Sequence, residues 1–181
     1  MKPLLMPYEG ADVPHALIEV NQACNIRCRA CYKDKFGLTK PLAQVQEEID
    51  LARSARRLNT LTLAGGEPTL HPDLPAIVRH AARGGLHVQM LSNGLGLTEE
   101  RLRALKVAGL SKLYLHVDSL QERPDAPRGV RREADLDPLR DELVARGARA
   151  GLHCALSVTL YRDNLPDLPQ VVEYVLTRPD V

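Results

Sequence analysis

Strand-like and helix-like segments alternate from one end of this chain to the other, and that alternation limits the fold more than any single motif. Ala16-Leu17-Ile18-Glu19-Val20 reads as a short strand. Leu42, Val45, Ile49 and Ala52 then recur at helical spacing, with Thr39 a candidate cap and Pro41 suited to the first turn. Thr60-Leu61-Thr62-Leu63 is the second strand. Leu74, Ile77, Val78 and Ala81, behind a capping Asp73 and ahead of Gly84, make the next helix. His87 to Leu91 is the third strand, Thr98 to Leu105 a helix closed by Gly109, and Leu113 to Asp118 the fourth strand. Asp137-Pro138 starts a helix carrying Leu139, Leu143 and Val144, and Leu152 to Leu160 is the fifth strand. Leu168, Val171, Val172, Val175 and Leu176 form the clearest helical stripe. Strands joined by helices in this way lie parallel, with right-handed crossovers and helices on the outside. The expected class is α/β: a partial (β/α) barrel of about five βα units, a parallel sheet with outer helices.

At 181 residues the chain has the length of one domain and enough mass to bury a core, built mainly from Leu, Val and Ala because it has one Phe and no Trp. A net charge of +1 makes no electrostatic case for nucleic acid or an anionic membrane. No apolar run is long enough to span a bilayer. Residues 1–10 lack the basic-then-apolar pattern of a signal peptide. The cytoplasm is therefore the expected location, where clustered cysteines bind metal or do chemistry more often than they form disulfides.

In sheets of this kind functional groups gather at the C-terminal ends of the strands, and the unusual residues of this chain stand there. Cys24, Cys28 and Cys31 follow the first strand, Gly65-Gly66-Glu67-Pro68 the second, Ser92-Asn93-Gly94 the third, Asp118 the fourth, and Thr159 and Asn164 the fifth. Three thiolates on one short loop can hold three corners of an iron–sulfur cube. Full ligation takes four cysteines, so one iron would stay open to a small molecule. The alternative is a structural zinc site, which closes with four ligands. Cys154 or His15 would then have to supply the fourth through folding.

Cys24-x3-Cys28-x2-Cys31 after a first strand, followed by Gly65-Gly66-Glu67-Pro68 after the second, resembles the radical S-adenosylmethionine (SAM) superfamily. Ser92-Asn93-Gly94 and Asp118 fall where that family has related motifs, so the resemblance covers nearly the whole chain. It implies a full or partial βα barrel with a [4Fe-4S] cluster on Cys24, Cys28 and Cys31, and SAM bound to the open iron through its methionine amino and carboxylate groups. An electron from a donor such as a flavodoxin or ferredoxin would reduce the cluster and cleave SAM, and the 5′-deoxyadenosyl radical would take hydrogen from an unidentified substrate. Gly65 and Gly66, lacking side chains, would let backbone groups approach the methionine ammonium, and Glu67, ahead of Pro68, could pair with it or hold the turn. Ser92 and Asn93 could bond adenosine, methionine or substrate, or form only a turn. Asp118 could accept from the ribose hydroxyls.

Two positions depart from the family pattern. Many members have Ser two residues before that Asp; here it is His116, a candidate proton donor or polar clamp, or an ordinary half-buried strand histidine. Many have an aromatic residue just before the third cysteine; here it is Ala30, and Tyr32 is the candidate to pack on adenine. Arg123, Arg128, Arg131 and Arg132 share a long loop with Asp125, Glu133 and Asp135, and could bind a substrate anion or pair internally in water.

Two other readings compete. One is a non-catalytic iron–sulfur or zinc protein, in which Gly66→Val would matter little. The other is an incomplete enzyme: the family barrel usually has six strands, so residues 1–181 read as a core domain with the sixth βα unit and C-terminal region absent. That reading carries an expectation of its own, an exposed apolar edge beside the fifth strand.

Overall fold

Every strand expected from the alternation forms, and the strands pair in sequence order. The computed structural model describes residues 12–29, 31 and 37–178. Its elements are β1 (His15–Asn21), β2 (Arg27–Cys28), α1 (Leu42–Ala55), β3 (Thr60–Gly65), α2 (Leu74–Arg83), β4 (His87–Ser92), α3 (Glu99–Ala108), β5 (Leu110–His116), β6 (Gln121–Glu122), α4 (Asp137–Arg149), β7 (His153–Ser157) and α5 (Leu168–Leu176). Five strands make one sheet in the order β1-β3-β4-β5-β7, and every neighbouring pair is parallel. This is the expected α/β partial barrel.

Strand residues point alternately to the two faces of a sheet, and here the faces differ in chemistry. One carries Ile18, Val20, Leu61, Leu63, Val88, Met90, Leu113 and Leu115, buried against Val45 and Ile49 of α1, Ile77 and Val78 of α2, Leu102 and Leu105 of α3, and Leu143 of α4. Each large aliphatic side chain buried there contributes about 1.5–3 kcal/mol, which makes this layer the main support of the fold. On the other face the strand registers align Leu17, Thr62, Gln89, Lys112 and His153 into one mostly polar row. The strand ends, and the loops that leave them, are thereby held on a helix-backed platform.

Thr98 caps α3 by accepting from the Arg101 N–H, and Gly109 closes it at φ 115°, as the sequence suggests. Asp73 stands at the cap of α2 but makes no side-chain cap bond. Thr39 does not cap α1; Pro41 holds that position. The cause is a competing strand contact: Thr39 bridges Asn21, with Gln22 N–H donating to Leu38 O at 2.8 Å and Lys40 N–H to Val20 O at 3.1 Å. Beside β7, the last strand in the order, Val158, Leu160, Val171 and Val175 line an apolar groove of about 190 Å³. Val171 and Val175 belong to α5, so the groove lies between that helix and the chain leaving β7, and among the described residues the parallel sheet has five strands. Among the described residues, no helix is long and apolar enough to cross a membrane.

Candidate functional site

The cysteine loop leaves the end of β1 and is fastened at both ends. At the Cys28 end, β2 and β6 form a short antiparallel ladder that sets Cys28 opposite Gln121, and Arg29 N–H donates to Leu120 O at 3.0 Å. At the Cys24 end, the Asn93 amide donates to Asn25 Oδ1 at 2.8 Å and points its Nδ2 at Cys24 Sγ, 3.9 Å away. Cys24 and Cys28 are half-buried and Cys31 is exposed. Tyr32, the candidate adenine partner, and Ala30 lie outside the described residues.

Gly65 and Gly66 are required by the chain itself. Gly65 has φ 155°, and a Cβ there would strike the Asn21 carbonyl and side chain. A Cβ on Gly66 would overlap the carbonyls of Gln22 and Ala23. The two glycines let the start of the cysteine loop cross directly over the end of β3, where Gly66 N–H bonds Asn21 O at 3.1 Å and Glu67 N–H bonds Ala23 O at 2.8 Å. Gly66→Val would therefore displace the cysteine loop whether or not a ligand binds, and the expectation that a metal-only protein tolerates it does not hold. Among the described residues, the buried Asn21 Oδ1 has no hydrogen-bond donor. It faces the Gly65 Cα at the place a Cβ would occupy, which makes a weak C–H···O contact its partner.

Glu67 is fully buried, and its carboxylate accepts from Thr69 N–H at 3.1 Å, Ser92 Oγ–H at 2.8 Å and Asn93 N–H at 2.8 Å. It caps the short turn Pro68–Leu70, with Pro68 suited to the first position. Of the two roles open to Glu67, the geometry displays the structural one: it holds its own turn and ties the end of β3 to the end of β4. Ser92 and Asn93 are the other side of that tie.

At the end of β5, His116 Nε2 lies 2.8 Å from Asp118 Oδ2 and 2.9 Å from Thr159 Oγ1. An ionised carboxylate only accepts, so Nε2 carries a proton and donates. Asp118 is buried and also accepts from Leu120 N–H at 3.0 Å. Burial alone would raise its carboxyl, but the bonds from His116, Leu120 and Thr159 bring it below the ordinary carboxylate value.

These parts enclose a cavity of about 430 Å³ at the C-terminal ends of the strands, within the range of small-ligand sites. Cys24, Cys28, Cys31, Gly65, Gly66, Glu67, Ser92, Asn93 and His116 all line it; Pro68 and Asp118 stand behind the wall. Leu17, Ile26, Ala64, Leu91, Ser157, Thr159 and Tyr161 complete it. Of these only Thr159 is marked out by its place after a strand, since Leu91 and Ser157 read as ordinary strand residues. Asn164 is not on the wall. Its side chain bonds Glu133 Oε1 at 2.8 Å and Thr159 O at 3.0 Å, and so closes its own loop.

The donor set fits an iron–sulfur cube better than one zinc ion. Cys154 is buried in the core under α4, and His15 starts β1 at the opposite end of the strand from the cysteine loop, so neither offers a fourth ligand. Among the described residues no three His, Cys, Asp or Glu side chains are gathered as a single ion requires.

A parallel βα half-barrel with a three-cysteine loop over a cavity at its strand ends defines a class of enzyme that joins an iron–sulfur cluster to a small cosubstrate. The chain belongs to the radical SAM superfamily, whose family profile matches residues 18–175. Members use a [4Fe-4S] cluster and SAM. The chain is 31% identical to a 7,8-dihydro-6-hydroxymethylpterin dimethyltransferase of Methanocaldococcus jannaschii, over 98% of this chain and 36% of that protein. It is 30% identical to a PqqA peptide cyclase of Streptomyces rochei, over 87% of this chain and 43% of that one. Its fold is similar to that of Streptococcus suis SuiB bound to the precursor peptide SuiA, with a TM-score of 0.70 at 12% identity, covering 92% of this chain and 37% of SuiB. The chain thus spans between about a third and a half of the length of these relatives.

Proposed function

We propose that the chain is the SAM-cleaving core of a radical SAM enzyme, with Cys24, Cys28 and Cys31 as cluster ligands and the cavity beside them as the SAM site. The carrying observation is that the three cysteines, the Gly65–Glu67 turn and His116 share one cavity wall. The cluster, when bound, supplies the electron that cleaves the sulfonium C–S bond and releases the 5′-deoxyadenosyl radical toward a substrate C–H bond.

The chain's own residues bind and orient. Gly65 and Gly66 bring the end of β3 close against the start of the cysteine loop, and this joined backbone forms the wall where the methionine end of SAM would lie. Glu67, Ser92 and Asn93 fix the wall through one another, because their hydrogen-bonding groups are largely engaged. His116 lines the cavity and is the candidate polar contact for a ribose or substrate hydroxyl. Asp118 acts through His116 as its positioning residue. Tyr32 is the adenine partner in this reading. Cys31 is the most exposed of the three cysteines, and in this reading a flavodoxin- or ferredoxin-like donor delivers the electron.

Anaerobic reconstitution with iron and sulfide tests this. The protein should show [4Fe-4S] absorption and, after reduction, a cluster EPR signal that SAM perturbs. Dithionite plus SAM should yield 5′-deoxyadenosine, and Cys28→Ala should abolish it. A folded, cluster-loaded protein that neither binds nor cleaves SAM would overturn the reading.

A further inference from the structure

The loop between β5 and α4 contains an arginine that cofactor binding does not use. The Arg123 side chain is completely buried, in contrast to the solvated arginine expected of a charged loop. Its guanidinium makes four hydrogen bonds: Nε and Nη2 to the two oxygens of Asp125 at 2.7 and 2.9 Å, Nη1 to Gln121 Oε1 at 3.0 Å, and Nη2 to Asn93 O at 2.9 Å.

The last two partners are the fasteners of the cysteine loop. Asn93 holds the Cys24 end through Asn25 and the Cys24 sulfur, while Gln121 sits opposite Cys28 in the β2–β6 ladder. A planar guanidinium with several fixed donors can grip both at once, which a lysine ammonium cannot do in the same geometry. Asp125 answers the charge bidentately, so Arg123 brings geometry to the loop with little net charge.

We propose that Arg123 is a positioning residue for the cysteine loop: by bridging Asn93 and Gln121 it sets the spacing between the Cys24 and Cys28 ends before any cluster binds. The inference rests on the ligand assignment above only for its consequence in the loaded protein. Its core is a statement about the polypeptide.

The test compares Arg123→Met with Arg140→Met, a second fully buried arginine that bonds Glu133, Asp137 and the Val117 carbonyl but has no bond to either fastener. In the protein without cluster, amide hydrogen exchange across residues 22–31, including the Arg29 N–H, should rise in Arg123→Met and stay as in the parent chain in Arg140→Met. Arg123→Lys, which keeps the charge, should show the same rise and serves if Arg123→Met does not fold. In reconstituted protein, cluster loss to a chelator should be about 10- to 100-fold faster in the Arg123 variants, the usual cost of disturbing a residue behind a metal ligand. Unchanged exchange in the Arg123 variants, or an equal rise in Arg140→Met, would overturn the proposal. Failure of the parent chain to take up a cluster would instead defeat the cofactor reading, while the exchange comparison would still decide the role of Arg123.

Discussion

Replacing Glu67 by Gln changes one oxygen to nitrogen at the point where β3, β4 and the cysteine loop are joined. The carboxylate accepts from Thr69 N–H and Ser92 Oγ–H on one oxygen and from Asn93 N–H on the other. A glutamine can keep its oxygen on the first side, but its NH2 group then faces the Asn93 N–H, donor against donor. An orphaned buried N–H costs about 1–3 kcal/mol, and the two surviving bonds lose their charge assistance. Part of this is offset because a neutral amide is easier to bury than a carboxylate. The expected net loss is about 2–3 kcal/mol. With a urea m-value of about 2 kcal/mol/M, the unfolding midpoint falls by about 1 M or slightly more. Far-UV circular dichroism is the suitable probe, since the chain has no Trp. If Glu67 instead serves mainly to contact a ligand, the midpoint of the ligand-free protein should move by less than about 0.5 kcal/mol, as ordinary surface substitutions do. That result would refute the reasoning.

Gly66→Ala should destabilise the ligand-free protein by about 1–3 kcal/mol, the usual cost of overpacking, and reduce iron loading, because its methyl meets the Gln22 and Ala23 carbonyls; urea unfolding and iron content check both. The folded-state pKa of Asp118 is lowered, so its contribution is fully present above the unfolded value of about 3.9 and is lost as pH falls through the folded one. The stability gap between the parent chain and Asp118→Asn should accordingly be widest near neutral pH and close below about pH 4, as read by urea midpoints across that range. Burial pushes the Cys154 thiol up to about 11. In native protein without cluster at pH 8, iodoacetamide should therefore label Cys24, Cys28 and Cys31 well before Cys154, as peptide mapping would show.

What could be read in the sequence, and what could not, divides by the range of the interaction. The five sheet strands announce themselves because apolar residues such as Leu61, Leu63, Val88 and Met90 must reach one helix-covered face, and that requirement writes a local pattern. The three cysteines and Gly65-Gly66-Glu67-Pro68 are legible for a similar reason: their spacing is itself the chemistry. The β2–β6 ladder is illegible because strands of two residues carry no period. Arg123 reads as a solvated loop charge because its burial depends on Asn93, 30 positions away along the chain. Thr39 reads as a helix cap because nothing near it reveals that Asn21 will claim it for a strand bridge.

The polar residues at the strand ends read either as ligand contacts or as groups that hold their own turns, and the structure sorts them by what their hydrogen-bonding groups already do. Glu67 meets three donors, Asp118 is closed off by His116 and the Leu120 and Thr159 backbone, and Asn93 spans Asn25, Cys24, Glu67 and Arg123. Buried polar groups are tolerable only when paired, so this network makes a rim of charged and amide side chains stable beneath a loop that has no core of its own. The cavity wall itself includes the three cysteines, Gly65, Gly66 and His116. A site built this way holds its shape without its occupants, because the bonds that position Cys24 and Cys28 run to Asn93 and Gln121 within the same chain. Preorganisation of that kind is what binding and orienting a small cosubstrate at an open metal position demands.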